Sequence, residues 1–283
     1  MADAATVQHL ERKALEMRRR LLRLANRTNL HIGGDLSMTE LMTVVFEYLM
    51  RVDPERPDWP DRDRFVLSKG HGAGALYISM ANRGFFDVEE IYDTYGGLGS
   101  RFGMHPCRNH LPGVEMSTGS LGHGLSIVTG MALAARLDGR TNRCVTLIGD
   151  GELNEGSIWE AVMAAAQFRL GSVVAFIDKN DMCMDGPQDD VMRVNPVDAK
   201  FEAFGWNVVT VDGHDVPALV DVVDGLPPAT SDRPTAVVAS TVKGKGIGFM
   251  EHTTTWHSGQ IDDETLEQCY AELAERYGEA VAG

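Results

Sequence analysis

The 283-residue sequence predicts an α/β fold, a doubly wound, mostly parallel sheet with helices on both faces. Four strand candidates, 144-CVTLIG-149, 172-SVVAFID-178, 206-WNVVTV-211 and 235-TAVVAST-241, are continuously apolar rather than alternating. Strands buried on both faces read that way. The first two are separated by a helical pattern over 155–168, and alternation of strand with helix is the signature of crossover connections. No internal repeat or low-complexity tract competes with this reading.

The remaining elements follow in chain order. Residues 6–29 place Leu10, Ala14, Met17, Leu21 and Leu24 at three- and four-residue spacing, which predicts a helix with one apolar stripe. A loop is expected over 28–37, then a second helix over 37–50 with Ser37 as its cap and Glu40 three residues on. Residues 53–64 are turn-rich. Residues 65–84 read as a short strand, a glycine turn bearing His71 and a small-residue helix. From 92 to 124 there is no periodicity but a high density of Gly and His; interspersed Leu, Met, Val and Phe argue for an ordered functional loop over a disordered one. A buried small-residue helix is expected from Gly122 onward. All of this fits one domain over 1–283, with a loop-rich C-terminal segment from about 243.

Composition narrows the function classes. With 43% hydrophobic and 24% charged residues and no apolar run long enough to cross a bilayer, the chain reads as an ordinary soluble globular protein without a membrane partner. A net charge of −15 repels nucleic acid over most of the surface. The basic cluster Arg18, Arg19, Arg20, Arg23 and Arg27 lies on the first helical pattern and reads as a solvated face. Cys107, Cys144, Cys183 and Cys269 are widely spaced, with no C-x-x-C, and the N-terminal stretch lacks the apolar core of a secretory signal. Reduced thiols and a cytoplasmic location are expected.

Ligands in such a sheet sit beyond the carboxyl ends of the strands. Asp150, after the first central strand, and Asn180, after the next, can therefore converge although 30 positions apart. A carboxylate and an amide oxygen are hard donors suited to Mg²⁺ or Ca²⁺, and Mg²⁺ characteristically shares its shell with phosphate oxygens. The glycines of 149-GDG-151 let a phosphate approach main-chain N–H groups at a helix start. The inference is a metal-bridged diphosphate, although Gly-Asp-Gly alone is more often a plain turn. Five of the nine histidines, His31, His71, His105, His123 and His257, stand beside Gly or Pro in loops, where imidazole can bind hydroxyls or phosphate and shuttle protons. The Lys–Gly loop 241-TVKGKGIG-248 could add cations, though alone it is a weak signal. No P-loop occurs, and no G-x-G-x-x-G opens a first βαβ unit, which disfavours nucleotide triphosphatases and nicotinamide dehydrogenases.

RFVLSKGH (64–71), MHP (104–106), LPGVEMSTGSLGHG (111–124), GDGELNEG (149–156), DKNDMCMDG (178–186), KGKG (243–246) and WHSG (256–259) together resemble the N-terminal half of transketolase, in order, over roughly residues 10–260. The resemblance implies that thiamine diphosphate is bound with Mg²⁺ or Ca²⁺ held by Asp150, Asn180 and the main-chain oxygen of Met182. Gly151, His71, Lys243 and His257 would contact the diphosphate; Leu121, Gly122 and Met184 would line the pocket for the cofactor's rings. Glu155 matches a glutamate that supports, across a subunit interface, the carboxylate activating the aminopyrimidine. His31, His105 and His257 match histidines that line the substrate channel.

Ile32, Asp35, His123 and Asp181 depart from the family pattern, which bears on substrate preference more than on cofactor binding. A complete transketolase carries a pyrimidine-binding and a C-terminal domain beyond this length. The resemblance therefore implies the smaller subunit of a split transketolase, completed by a second polypeptide in an α₂β₂ assembly. Its reaction would be transfer of a two-carbon ketol unit from a ketose to an aldehyde. Two alternatives stand beside it: another two-chain thiamine enzyme, acyloin-forming or 2-oxo acid-decarboxylating, and a non-catalytic cofactor-binding paralogue.

Overall fold

A computed structural model describes residues 3–278. Helix α1 (Ala4–Arg27) starts at Asp3, whose carboxylate accepts the Thr6 N–H at 2.7 Å, and buries the predicted stripe of Leu10, Ala14, Met17, Leu21 and Leu24. The basic cluster on it is only in part a solvated face, Arg27 being exposed. Arg18 is 1% exposed and bonded to Glu40, Arg23 pairs with Glu89 and lies over the Tyr92 ring, and Arg20 pairs with Glu16 and Asn82. Other helices cover α1 on more than its apolar side, so Arg18 finds its partner in the interior while Arg20 and Arg23 pair nearer the surface.

The helix expected over 37–50 begins earlier and is broken. Helix α2 (Ile32–Ser37) occupies most of the expected loop, and Met38 separates it from α3 (Thr39–Val44), which ends in a wide π-type turn over Val45–Leu49. Ser37 is not a cap: its hydroxyl donates to the Gly34 carbonyl and, at 2.6 Å, to Asp178. Glu40 is likewise diverted, to Arg18.

Strand β1 (Arg64–Leu67) leads through a single turn at Gly70–Gly72 into α4 (Ala73–Asn82), followed by α5 (Val88–Thr94). The irregular stretch therefore starts after α5 and runs to α6 (Gly124–Leu137). Next come β2 (Cys144–Gly149), α7 (Gly156–Gln167), β3 (Val173–Lys179), α8 (Gln188–Val191), α9 (Val197–Ala203), β4 (Asn207–Asp212), α10 (Val216–Asp224) and β5 (Thr235–Ser240). The C-terminal segment is loop only as far as Asp262, which caps the 15-residue α11 (Asp263–Tyr277).

The five strands pair in the order β1-β2-β3-β5-β4, every pair parallel. Alternate strand residues feed two separate cores. Phe65, Leu67, Val145, Leu147, Val174, Phe176, Val237 and Ala239 pack under α1, α3, α4, α10 and α11. Val66, Ile148, Val173, Ala175, Ile177, Ala236 and Val238 pack under α6, α7 and α9. Each fully buried Val, Ile, Leu or Phe contributes roughly 1.5–3 kcal/mol, which is why continuously apolar strands end in the centre of a doubly covered sheet. No helix among the described residues is long and apolar enough to cross a membrane.

Candidate active site

Register fixes the site. Gly149 pairs with Asp178 and Asp178 with Ala239, so β2, β3 and β5 end at one level and the segments beginning at Asp150, Asn180 and Thr241 leave the sheet together. Main-chain bonds keep them close: Asp150 N–H to the Asp178 carbonyl at 3.2 Å, and Thr241 N–H to the Lys179 carbonyl at 2.9 Å.

Asp150 is buried, and its carboxylate accepts the N–H of Gly151 at 2.9 Å and of Asp181 at 2.5 Å. Asp181 reaches that position with φ +57°, a left-handed conformation that Asp and Asn tolerate better than other side chains. Asn180 is also buried; its amide oxygen accepts the Met182 N–H at 3.1 Å. No Lys or Arg among the described residues lies within ion-pair distance of Asp150. Burial, then the neighbouring Asp178 charge, pushes its carboxyl up to about 7. A buried carboxylate in that condition, beside an amide oxygen, has the donor chemistry of a hard-cation site. No group of three or more His, Cys, Asp or Glu side chains among the described residues is arranged for a metal, so any such site draws on amide and main-chain oxygens.

Four of the five loop histidines converge. The His31 ring lies 5.4 Å from that of His71, 6.2 Å from His105 and 5.5 Å from His257, and His71 lies 5.7 Å from His257. They come from α2's start, the turn before α4, the irregular stretch and the loop before α11. His123 instead stands exposed at the start of α6. Lys243, 3% exposed, joins the cluster to the Asp150 side, with Nζ 3.1 Å from His257 Nδ1 and 3.2 Å from the Cys183 carbonyl.

Burial, followed by the nearby Lys69 charge, lowers His71 to about 2; burial and Lys243 lower His257 to about 4; His31 is lowered by burial and His105. These three rings are neutral at pH 7. They act there as hydrogen-bond donors and acceptors, passing protons by exchange across the ring rather than by titrating near neutrality as their residue type suggests. His31 Nδ1 is buried and unpartnered, so it is available to a ligand.

The Gly122 turn folds onto the GDGELNEG segment. Its N–H donates to Glu152 at 2.7 Å, its carbonyl accepts from Ser157 at 2.9 Å, and at φ +88° a Cβ there would come within 2.6 Å of Glu155 Cβ. Leu121 is half-buried beside it, whereas Glu155 is exposed. Met184 is 62% exposed on the loop after β3, and Gly151 has room for only a small neighbour, Cys183 Sγ lying 3.2 Å from where its Cβ would be.

Under these residues lies a buried polar layer that the sequence reading did not single out. Lys69 Nζ bonds Asp178 at 2.6 Å and the Gly34 carbonyl at 2.9 Å, and Asp178 also accepts from Ser37 and Thr241. Glu152, not Glu155, is the buried acid of GDGELNEG, holding Ser68 and the N–H groups of Gly122 and Gly149. A signal existed: Lys69 lies between a strand and a small-residue helix, and Asp178 is the one charge in an apolar run.

Comparison with known proteins identifies the family. Residues 20–278 match the family model described as "Transketolase, thiamine diphosphate binding domain". The chain belongs to the transketolase family. It is 41% identical to a 6-deoxy-6-sulfo-D-fructose transketolase subunit from a Clostridium species, over 86% of this chain and 88% of that one. It is 38% identical to an apulose-4-phosphate transketolase subunit from Phocaeicola vulgatus, over 95% of each. Among solved structures, transketolase from Leishmania mexicana superposes with a TM-score of 0.85 at 27% identity, covering 97% of this chain but 42% of that one. This transketolase-family chain thus spans less than half of a solved transketolase and most of the two similar subunits.

Proposed function

We propose that the chain is the diphosphate-binding subunit of a two-chain, thiamine diphosphate-dependent enzyme that transfers a two-carbon ketol unit from a ketose to an aldehyde. The observation that carries this reading is the convergence, at one end of the sheet, of the Asp150–Asn180 pair with Lys243 and the cluster of His31, His71, His105 and His257. Asp150, Asn180 and the Met182 carbonyl would hold Mg²⁺ or Ca²⁺, with Gly151, His71, Lys243 and His257 at the diphosphate and Leu121, Gly122 and Met184 along the rings. Bound there, thiamine diphosphate supplies a carbon nucleophile and an electron sink for cleaving the bond beside the donor carbonyl.

The chain's own residues bind and orient. Lys243 brings positive charge to the diphosphate, and the rings of His31, His105 and His257 donate to substrate hydroxyls and carry their protons. Neutral imidazoles suit a polyhydroxy chain better than an anionic end. The similarity to subunits named for a sulfofructose and an apulose phosphate supports a ketose-like donor and a partner chain. That partner would bring the pyrimidine-binding and C-terminal domains in an α₂β₂ arrangement, with the exposed Glu155 turned toward it. A single domain over the whole chain and a cytoplasmic location complete the reading, the latter in keeping with four free cysteines.

Calorimetric titration of the chain, with its co-purifying partner, by thiamine diphosphate and Mg²⁺ tests the cofactor role. Asp150→Ala is expected to abolish the metal-dependent heat; matching isotherms would remove the metal assignment. Ketol transfer by the isolated chain would refute the two-chain reading.

A further inference from the structure

Behind Lys243 lies a buried charged network that the proposed chemistry does not use. Arg18 Nη2 donates to both Glu40 oxygens, at 2.7 and 3.0 Å, and Glu40 Oε2 lies 2.9 Å from His214 Nδ1. Burial would raise the Glu40 carboxyl, but Arg18 and His214 outweigh it and hold it down to about 2, so it is an anion at every working pH.

Both outer ends of this network close on the loop carrying Lys243. His214 Nε2 accepts the Val242 N–H at 2.9 Å, and Arg18 Nε donates to the Lys245 carbonyl at 3.0 Å. A main-chain N–H can only donate, so Nε2 presents its lone pair and the ring proton sits on Nδ1, facing Glu40. One carboxylate therefore fixes the ring's tautomer and, through Arg18 and His214, grips the residue before Lys243 and the residue two after it. The loop needs such support. Gly244 and Gly246 adopt φ +77° and +100°, and a Cβ at Gly244 would come within 2.1 Å of the Met250 carbonyl oxygen.

We propose that His214, held by the Arg18–Glu40 pair, is a positioning residue for Lys243, setting where its ammonium meets the cofactor's diphosphate. The arrangement parallels the fixing of a ligating group by an outer hydrogen-bonded shell, where loss of the outer partner costs about 10- to 100-fold in affinity. It spans α1, α3 and the turn between β4 and α10, elements that contribute nothing else to the site. The inference rests on the proposed role of Lys243 at the diphosphate.

The test is a cycle in the full chain with its co-purifying partner: His214→Phe, Lys243→Met and the double variant, titrated with thiamine diphosphate at saturating Mg²⁺. His214→Phe is expected to weaken binding about tenfold, the equivalent of one lost hydrogen bond. The double variant is expected to bind no more weakly than Lys243→Met alone, because His214 acts through that lysine. His214→Gln, whose amide offers both a donor and an acceptor, should recover most of the loss. In the chain without cofactor, amides of 242–246 should exchange faster in His214→Phe while those of β5 do not change.

If Lys243→Met leaves affinity intact, the assignment of Lys243 to the diphosphate fails. If Lys243→Met weakens binding but His214→Phe does not, or the two losses multiply in the double variant, the positioning role is overturned and the assignment of Lys243 stands. Should His214→Phe not fold, His214→Ala, which opens onto a cleft lined by Asp212, His214, Thr241 and Lys245, serves the same cycle.

Discussion

Replacing Lys69 with methionine removes one half of the ion pair beneath the site while keeping the length of the side chain. Lys69 is 2% exposed and Asp178 0%, with 2.6 Å between Nζ and Oδ2. Removing one partner of a buried pair costs about 3–5 kcal/mol, most of it the burden of leaving the other charge unpaired. Asp178 retains the Ser37 hydroxyl at 2.6 Å and that of Thr241, so the lower end of that range applies. About 3 kcal/mol is a loss of more than a hundredfold in the folding equilibrium and moves a urea midpoint by about 1 M or more. Unfolding should be followed at pH 7 with a chelator present and no cofactor, so that ligand binding does not add to the native state. The partner variant Asp178→Asn removes the stranded charge, so the double variant should be more stable than the sum of the two single losses predicts. A Lys69→Met cost below about 1 kcal/mol, or costs that simply add, would refute the reasoning. The same variant should raise the titration of His71, read by NMR on the ring, because Lys69 is the charge that joins burial in keeping it neutral.

Three further outcomes can be checked independently. Gly124→Ala should lower the thermal midpoint by the equivalent of about 1–3 kcal/mol, since its Cβ would fall 2.4 Å from Ser68 Cβ and 2.7 Å from Ser68 Cα. Glu40 ionises at about 2 in the folded chain against an ordinary 4.5, so its stabilisation is complete above about 4.5 and drains away as pH falls toward 2. Acid unfolding of Glu40→Gln should lack that part of the slope, and an unchanged acid profile would speak against the Arg18–Glu40–His214 network. Leu98→Ser, at a fully exposed loop position, should change stability by no more than about 0.5 kcal/mol in the same urea assay.

What the sequence disclosed and what it hid divide along a physical line. Continuous apolar runs identified β2, β3 and β5 to within a residue or so, and with them the level at which Asp150 and Asn180 leave the sheet. Histidines beside Gly or Pro identified the three segments whose rings lie next to His31. These signals are local: a strand, a turn, a residue type that a turn permits. The failures concern polar residues whose meaning lies in a distant partner. Ser37 and Glu40 spell a capping box, yet Ser37 bonds an aspartate 141 positions away and Glu40 an arginine 22 positions away. A surface helix would have used the box; here α2 and α3 sit against the sheet's carboxyl edge, where a buried carboxylate and guanidinium compete for those groups more strongly than orphan N–H groups do. Arg18 read as solvated for the same reason, since nothing in its own helix announces Glu40.

The two aspartates at the strand ends show why a charge next to an apolar strand is ambiguous without the fold. Asp150 and Asp178 occupy nearly equivalent places, one just past β2 and the other next to last in β3, where Asp178 pairs with Gly149 and its carbonyl accepts the Asp150 N–H. Lys69 neutralises Asp178 and holds its carboxyl below the ordinary range against the pull of burial, while Asp150 meets only main-chain N–H groups and is pushed up to about 7. One is therefore a structural partner already satisfied, and the other is the carboxylate at which a cation would gain most. Chain position alone gives no reason to prefer either; the 109-residue reach of Lys69 decides it. Burial does most to lower His71 and the same lysine adds to it, so one buried ammonium both satisfies the structural acid and reinforces the neutrality of the histidine beside it.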